Sequence, residues 1–246
     1  MKISVITAVL NGERTIRDCM ESVQKQTCPA EHIIVDVGST DGTLEIVRVY
    51  AEKTDRLVSG LDCGIYDAMN KGISLATGDV VGILNADDFY PNADVLVKVA
   101  RIFGDESVDA CYGDLDYVDD LDTGRVVQRW RSGPYDINRF YHGWMPPHPA
   151  FFVRKTCYET FGHYRLDMGS AADYELMLRL LLKHGRTAAY IPEVLVHMRT
   201  GGTSNASLLN RIMANRMDRK AWRVNGLKPW PWTLIFKPLR KVVQYL

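Results

Sequence analysis

The sequence predicts one α/β domain built from βαβ units around a largely parallel sheet, followed by a basic helical tail. Three observations carry this. Short apolar runs alternate with helical patterns through residues 3–84, as in parallel strands joined by crossover helices. The last of these runs, 79–84, is apolar almost throughout, as a strand covered on both faces must be. The 246 residues are 46% hydrophobic and 24% charged, a globular mix in a chain long enough to bury a sizeable core.

Each element follows from its pattern. Residues 3–9 and 32–37 read as the first two strands, 56–59 as a short third and 79–84 as the fourth. Residues 13–26 read as a helix with Ile16, Met20 and Val23 on one face, and a second helix follows the turn at 38–42. Residues 65–76 are helical, with Ile65, Met69, Ile73 and Ala76 roughly in line, and another helix begins near Pro91. The second half is less regular. Residues 109–117 and 125–130 read as strands, and 135–149 as a Pro- and aromatic-rich loop. Residues 173–184 read as a helix with Glu175, Arg179 and Lys183 in a polar stripe. A late strand, 188–198, is interrupted by Pro192, and 208–224 is a helix. No repeat or low-complexity segment occurs.

Several classes are excluded. The five cysteines, Cys19, Cys28, Cys63, Cys111 and Cys157, are odd in number and form no CxxC pair. That argues against a disulfide framework and for reduced thiols in the cytosol. No Cys or His pair has zinc-site spacing. The run 3–10 ends at Asn11-Gly12 and reads as a strand, not a signal peptide. No apolar stretch approaches the roughly 18 residues of a membrane span. GxGxxG after the first strand and GxxxxGK[ST] are both absent, against a nicotinamide dehydrogenase and a P-loop NTPase.

In open parallel sheets, ligands bind beyond the carboxyl ends of the strands. Four polar segments fall there: 7–13, 36–41, Asp62, and Asn85-Ala86-Asp87-Asp88. Adjacent carboxylates such as Asp87 and Asp88 repel each other. A hard cation held by one or two carboxylates and substrate phosphates accounts for them; capping of the helix near Pro91 is the alternative.

The segments ITAVLNGE, IIVDVGSTDGT, DCGIYDAMNKGISLATGD and GILNADD, in this order and spacing, strongly resemble family-2 glycosyltransferases of the GT-A fold. The bacterial members that build surface polysaccharides are the nearest in pattern. The match is dense over 3–88 and looser through HPAFF, AADYELMLRL and GGTS to Ser204. The resemblance implies a single Rossmann-like domain, 1–205, with a central mixed, mainly parallel sheet. It implies inverting transfer of a sugar from a nucleotide-diphosphate donor to a hydroxyl acceptor, with Mg²⁺ or Mn²⁺ on the diphosphate.

By the same resemblance, Thr7, Ala8, Leu10 and Glu13 line the nucleoside pocket, and Asp36 and Ser39 lie near base and ribose. Many members carry two aspartates where this chain has Asp36-Val37. A UDP-sugar is the first expectation, and the base stays open. Lys71, with Asn70, is placed beside the diphosphate and Asp62 at the start of the same helix. A surface pair between Asp67 and Lys71 is the alternative. Asp87 and Asp88 hold the metal, with His197 as a third ligand ahead of the glycine-bearing loop 199–204. Asp173 opens a helix, whose positive end favours negative charge. It is the expected catalytic base, with an N-cap as the alternative, and His148 borders the acceptor. A sugar nucleotidyltransferase and a catalytically inactive sugar-nucleotide-binding module are the competing functions.

Residues 206–246 form the tail. From 211 onward it carries nine basic residues against Asp218 alone, a net charge of +8 that residues 1–210 balance. Trp222, Trp230, Trp232 and Phe236 accompany Lys228, Lys237, Arg240 and Lys241, and Ile235, Leu239, Val242 and Leu246 share one helical side. This pattern fits a segment lying in an anionic membrane interface; the alternative is a helix docked on the domain. The expected location is the cytoplasm, at the inner face of the plasma membrane. The expected acceptor is a saccharide or lipid-linked saccharide, and no nucleic-acid partner is expected.

Overall fold

The structure, a computed structural model, describes residues 1–50, 56–60, 63–201 and 208–237. Among them an eight-stranded mixed sheet is sandwiched between helices. The first half is the predicted βαβ series: β1 Ile3–Val9, α1 Ile16–Gln24, β2 Ala30–Asp36, α2 Thr43–Val49, β3 Arg56–Ser59, α3 Ile65–Leu75 and β4 Val80–Ile83. Strands β3, β2, β1 and β4 are neighbours in that order and all parallel. Side chains of β1 alternate between layers. Ile6 and Ala8 pack with Ala68, Met69 and Ile73 of α3, whereas Ile3 and Val5 pack with Cys19 and Val23 of α1.

Gly72 lets α3 approach the sheet closely. A Cβ there would lie 2.4 Å from Ile6 Cγ2, and Ile6 is fully buried. Gly72→Val should therefore destabilise the domain by about 1–3 kcal/mol, the usual range for overpacking. A lower midpoint in chemical denaturation would show it; an unchanged midpoint would mean that the α3–β1 layer yields freely.

The second half comprises α4 Val95–Ile102, β5 Ala110–Val118, β6 Val126–Trp130, β7 Phe151–Arg154, α5 Lys155–Phe161, α6 Ala172–Met177, β8 Ala188–Arg199 and α7 Leu208–Val224. Strand β7, unforeseen in the sequence, is antiparallel to both β4 and β5, so β5 runs with β1 and β4. Strand β8 runs parallel to β5. It is continuous through Pro192 because the register shifts between Tyr112↔Tyr190 and Asp114↔Val194. Pro192 thus lies in a bulge, where no ladder donor is needed.

Helix α6 continues as a π-helical turn over Leu178–Lys183. Its expected polar stripe is in part buried. Glu175 and Arg179 are 1% and 9% exposed and pair at 2.9 Å. Arg179 also donates to the carbonyls of Phe161 and His163.

The described part of the tail packs on the domain. Trp222 is fully buried and its indole N–H donates to Tyr174 Oη at 3.0 Å. Lys237 pairs with Asp218 at 2.6 Å, and Thr233 donates to the carbonyl of Tyr141. Up to residue 237, the docked alternative describes Trp222 and Lys237, whose side chains are committed inward. Leu239, Arg240, Lys241, Val242 and Leu246 lie outside the described residues. Among those described, no helix is long and apolar enough to cross a membrane. All five cysteines are free thiols.

Candidate active site

The register brings the loops together. Val9 pairs with Asp36 and Asp36 with Ser59, so β1, β2 and β3 end side by side. Asp36 is fully buried and accepts from Ser59 Oγ at 2.7 Å and from the amides of Gly38 and Ser39. Burial opposes its charge, but hydrogen bonds from Ser39, Ser59 and Gly38 outweigh it and hold the carboxyl below the usual aspartate range. Asn11 takes a left-handed conformation, φ 52°. Its amide donates to Ser39 Oγ at 2.8 Å while its own Oδ1 accepts from the amide of Thr40. Glu13 Oε2 accepts from the amide of Gly42, and the Glu13 amide donates to Asp41. The two loops are thereby tied into one rim.

A cleft of about 400 Å³ opens on this rim, lined among others by Asn11, Gly12, Glu13, Asp41, Asp87 and Arg199. Glu13 and Asp87 of the expected residues reach it. Leu10 is exposed and Ser39 half-buried beside it. Thr7 and Ala8 are buried within the sheet layers. The Thr7 hydroxyl is 3.1 Å from His32 Nε2 and 3.6 Å from Cys19 Sγ, so that side chain belongs to the α1 layer rather than to the cleft.

Asp87 and Asp88 follow β4. Asp88 is fully buried. Its Oδ2 accepts from Asn85 Nδ2 at 2.8 Å, while Oδ1 has no partner. Burial, and then the charge of Asp87, push the Asp88 carboxyl well above the usual range. A buried carboxylate oxygen left unpaired beside a second carboxylate fits a divalent cation, which would satisfy that oxygen and offset both charges. The backbones of Phe89 and His197 exchange hydrogen bonds of 3.0 and 2.9 Å, which sets His197 next to the pair. Its ring packs edge-on to Phe89 at 5.3 Å. Burial holds the imidazole below its ordinary value, against the pull of Asp116. Among the described residues no three His, Cys, Asp or Glu side chains converge as a metal cluster. A cation here would take its remaining ligands from phosphate and water, as Mg²⁺ commonly does.

Asp173 is the second residue of α6, after Ala171 as N-cap, and its carboxylate serves a tertiary contact. Tyr66 Oη, from α3, donates to Asp173 Oδ2 at 2.9 Å, while the buried Oδ1 has no partner. His148 Nδ1 is 3.8 Å from Oδ2. Burial, then Asp173 itself, push the Tyr66 phenol well above its ordinary value, so it stays a proton donor. Asn70, also on α3, makes two hydrogen bonds of 2.9 Å with the backbone of Tyr164 and so positions the chain before α6. Lys71 is half-buried one residue on, and Asp67 caps the approach to α3 by accepting from the amide of Cys63. Asp62 and residues 202–204 of the glycine-bearing loop lie outside the described residues.

One residue of this site, Tyr66, escaped the sequence reading, and Arg199 was expected there only as the start of the glycine-bearing loop. Tyr66 sits inside the DCGIYDAMNKG segment, where the charged residues carry the stronger chemical signal. Arg199 is 6% exposed and lies 5.1 Å over the Phe89 ring. It donates to Asp18 and to the carbonyl of Asp87, bracing the aspartate loop with a positive charge. Its position at the end of β8, a strand edge shared with β4, was the available signal.

The family model described as Glycosyl transferase family 2 matches residues 4–161. A PGL/p-HBAD biosynthesis glycosyltransferase of Mycobacterium bovis (strain BCG / Pasteur 1173P2) is 34% identical over 208 residues, 82% of this chain and 78% of the relative. Staphylococcus aureus TarS 1-349 in complex with UDP-GlcNAc has a TM-score of 0.70 at 21% identity, over 88% of this chain; this chain spans 65% of the length of that one. The mannosyltransferase PcManGT from Pyrobaculum calidifontis in complex with GDP-Man and Mn²⁺ has a TM-score of 0.67 at 21% identity, over 99% of this chain and 69% of that one. At these identities the two structures establish a shared fold, and the sequence match carries the family. The chain has the α/β GT-A fold and belongs to glycosyl transferase family 2.

Proposed function

We propose that this glycosyltransferase moves a hexosyl or N-acetylhexosaminyl unit, with inversion, from a nucleotide-diphosphate sugar to a hydroxyl of a saccharide or lipid-linked saccharide. A UDP-sugar is the first donor to test, and the setting is the cytoplasmic face of a membrane in surface-polysaccharide assembly. The observation that carries the reading is the Asp173 carboxylate: one oxygen is held by Tyr66 and the other is buried without a partner. Inversion requires a single displacement, in which a base takes the acceptor proton as the hydroxyl oxygen attacks the anomeric carbon. Asp173 Oδ1, which no donor occupies among the described residues, would be the atom to take it. Asp88 and Asp87 would hold Mg²⁺ or Mn²⁺, with phosphate and water completing the shell; the expected third ligand, His197, stands beside the pair without forming a three-residue cluster with it. The cation would act as a Lewis acid for the departing diphosphate. Glu13, Asp36 and Ser39 would shape the nucleoside end of the donor site, and Lys71 would border the diphosphate.

Incubation with a panel of sugar nucleotides and Mn²⁺, followed by mass spectrometry of the released nucleotide, tests the reading. Release of a nucleoside diphosphate supports transfer, whereas formation of a nucleoside triphosphate and a sugar 1-phosphate when pyrophosphate is added would mark a nucleotidyltransferase. Tyr66→Phe should lower kcat by about tenfold, the cost of one hydrogen bond to a charged group, with donor KM unchanged. An unchanged kcat would make Tyr66 a packing residue only.

A further inference from the structure

Helix α7 presents a cationic groove that the transfer reaction does not use. A cavity of about 490 Å³ is lined by Asn215, Arg216, Arg219, Lys220 and Arg223. The spacing of the four cations places them on one helix face, where like charges three and four residues apart repel. Only Lys220 is compensated: it donates to the carbonyl of Asp167 at 2.7 Å and pairs with the Asp167 carboxylate at 2.9 Å. Arg216, Arg219 and Arg223 are exposed and make no ion pair among the described residues. Three guanidiniums gathered against their own repulsion fit phosphate groups, which they can bind in bidentate fashion.

The groove has an apolar rim. Asn215, within it, donates to the carbonyl of Leu234 at 3.0 Å, which fixes the turn that follows at its edge. Leu234 faces inward, but Ile235 is 61% exposed and Trp232 and Phe236 are also exposed; Met213, one turn before Arg216, is 59% exposed. Such residues beside arginines are what an anionic bilayer interface accommodates: side chains enter the headgroup layer and guanidiniums meet phosphates. An acidic protein partner or a nucleic acid would meet the charge but leave the apolar rim unaccounted for. The committed neighbours of this face are those already described: Trp222 is buried and Lys237 is paired with Asp218.

We propose that the Arg216–Arg219–Arg223 face of α7, with Ile235 and Phe236, docks the enzyme on an anionic phospholipid surface. The Lys220–Asp167 tie links that face to the segment leading into Asp173. The docking does not rest on the transfer reading above.

The test is co-sedimentation of the full chain with vesicles of phosphatidylcholine alone or mixed with phosphatidylglycerol, at low and physiological salt. The wild type should bind the mixed vesicles and not the neutral ones. Arg216→Gln, Arg219→Gln and Arg223→Gln together should weaken that binding about 100-fold, roughly fivefold per arginine. Ile235→Ser with Phe236→Ser should weaken it as well. Circular dichroism and nucleotide-sugar hydrolysis in solution should be unchanged in both variants, which separates docking from folding and from catalysis. The proposal is overturned if the triple variant binds like the wild type, if the wild type binds neither vesicle, or if a DNA duplex binds more tightly than the mixed vesicles. Docking without nucleotide-sugar hydrolysis would uphold the surface and remove the transfer reading instead.

Discussion

Asp173→Asn should lower kcat by at least about 100-fold, the lower end of what a positioned general base contributes. The asparagine keeps the shape and still accepts from Tyr66, so the 2.9 Å contact with α3 survives. What disappears is the ability of the second oxygen to take a proton. Donor binding should hardly change, because in the proposed reading Asp173 meets the acceptor while the loops after β1 and β2 hold the nucleotide. Steady-state kinetics with saturating donor, paired with calorimetric titration of the nucleotide, separates the two effects. A variant that turns over normally at saturation yet binds donor poorly would reverse the assignment.

Asp88→Asn should act in opposite directions on activity and stability. Losing the carboxylate removes the charge that would hold the cation. Turnover should fall on the order of 10³-fold, several kcal/mol of lost Lewis-acid stabilisation, and metal-dependent donor binding should weaken. In the metal-free protein, the same change should stabilise. The folded state holds the Asp88 proton more tightly than the unfolded chain, because burial and Asp87 disfavour the charge. That contribution is fully present below the ordinary aspartate range and is lost as pH rises through the elevated folded value. At neutral pH the asparagine should therefore raise the melting temperature of the apo protein. Mn²⁺ with nucleotide should narrow or invert the difference, since a ligand that binds only the folded state stabilises the wild type. Equal melting temperatures without metal, or equal rates with it, would contradict the assignment.

The sequence by itself determined the first half of this molecule. Strands at Ile3–Val9 and Arg56–Ser59 fall where their apolar runs begin and end, and α7 spans the predicted 208–224. Parallel strands buried on both faces leave continuous apolar runs, and crossover helices leave a periodic stripe, so each element carries its own signal. The polar segments at the strand ends were legible for the same reason, because a strand's end fixes where its next residues emerge.

Tertiary structure decided what depends on partners distant in sequence. Strand β7 is four residues long and exists because β4 and β5 flank it; a short apolar run with no turn at its end does not announce such a place. Glu175 and Arg179 looked like a solvent-facing stripe. They are buried where the carbonyls of Phe161 and His163 and the amide of Asn225 pair with them, and no local pattern encodes those acceptors and donors. Trp222 left the expected interfacial face for the core because Tyr174 offers its hydroxyl to the indole. The same holds at the site. A helix start at Asp173 is visible in the sequence, but the phenol of Tyr66, 107 residues away, holds one carboxylate oxygen and leaves the other buried and unpaired. Local periodicity reports the burial of a segment's own faces, whereas the pairing of buried polar groups is settled only when distant segments meet.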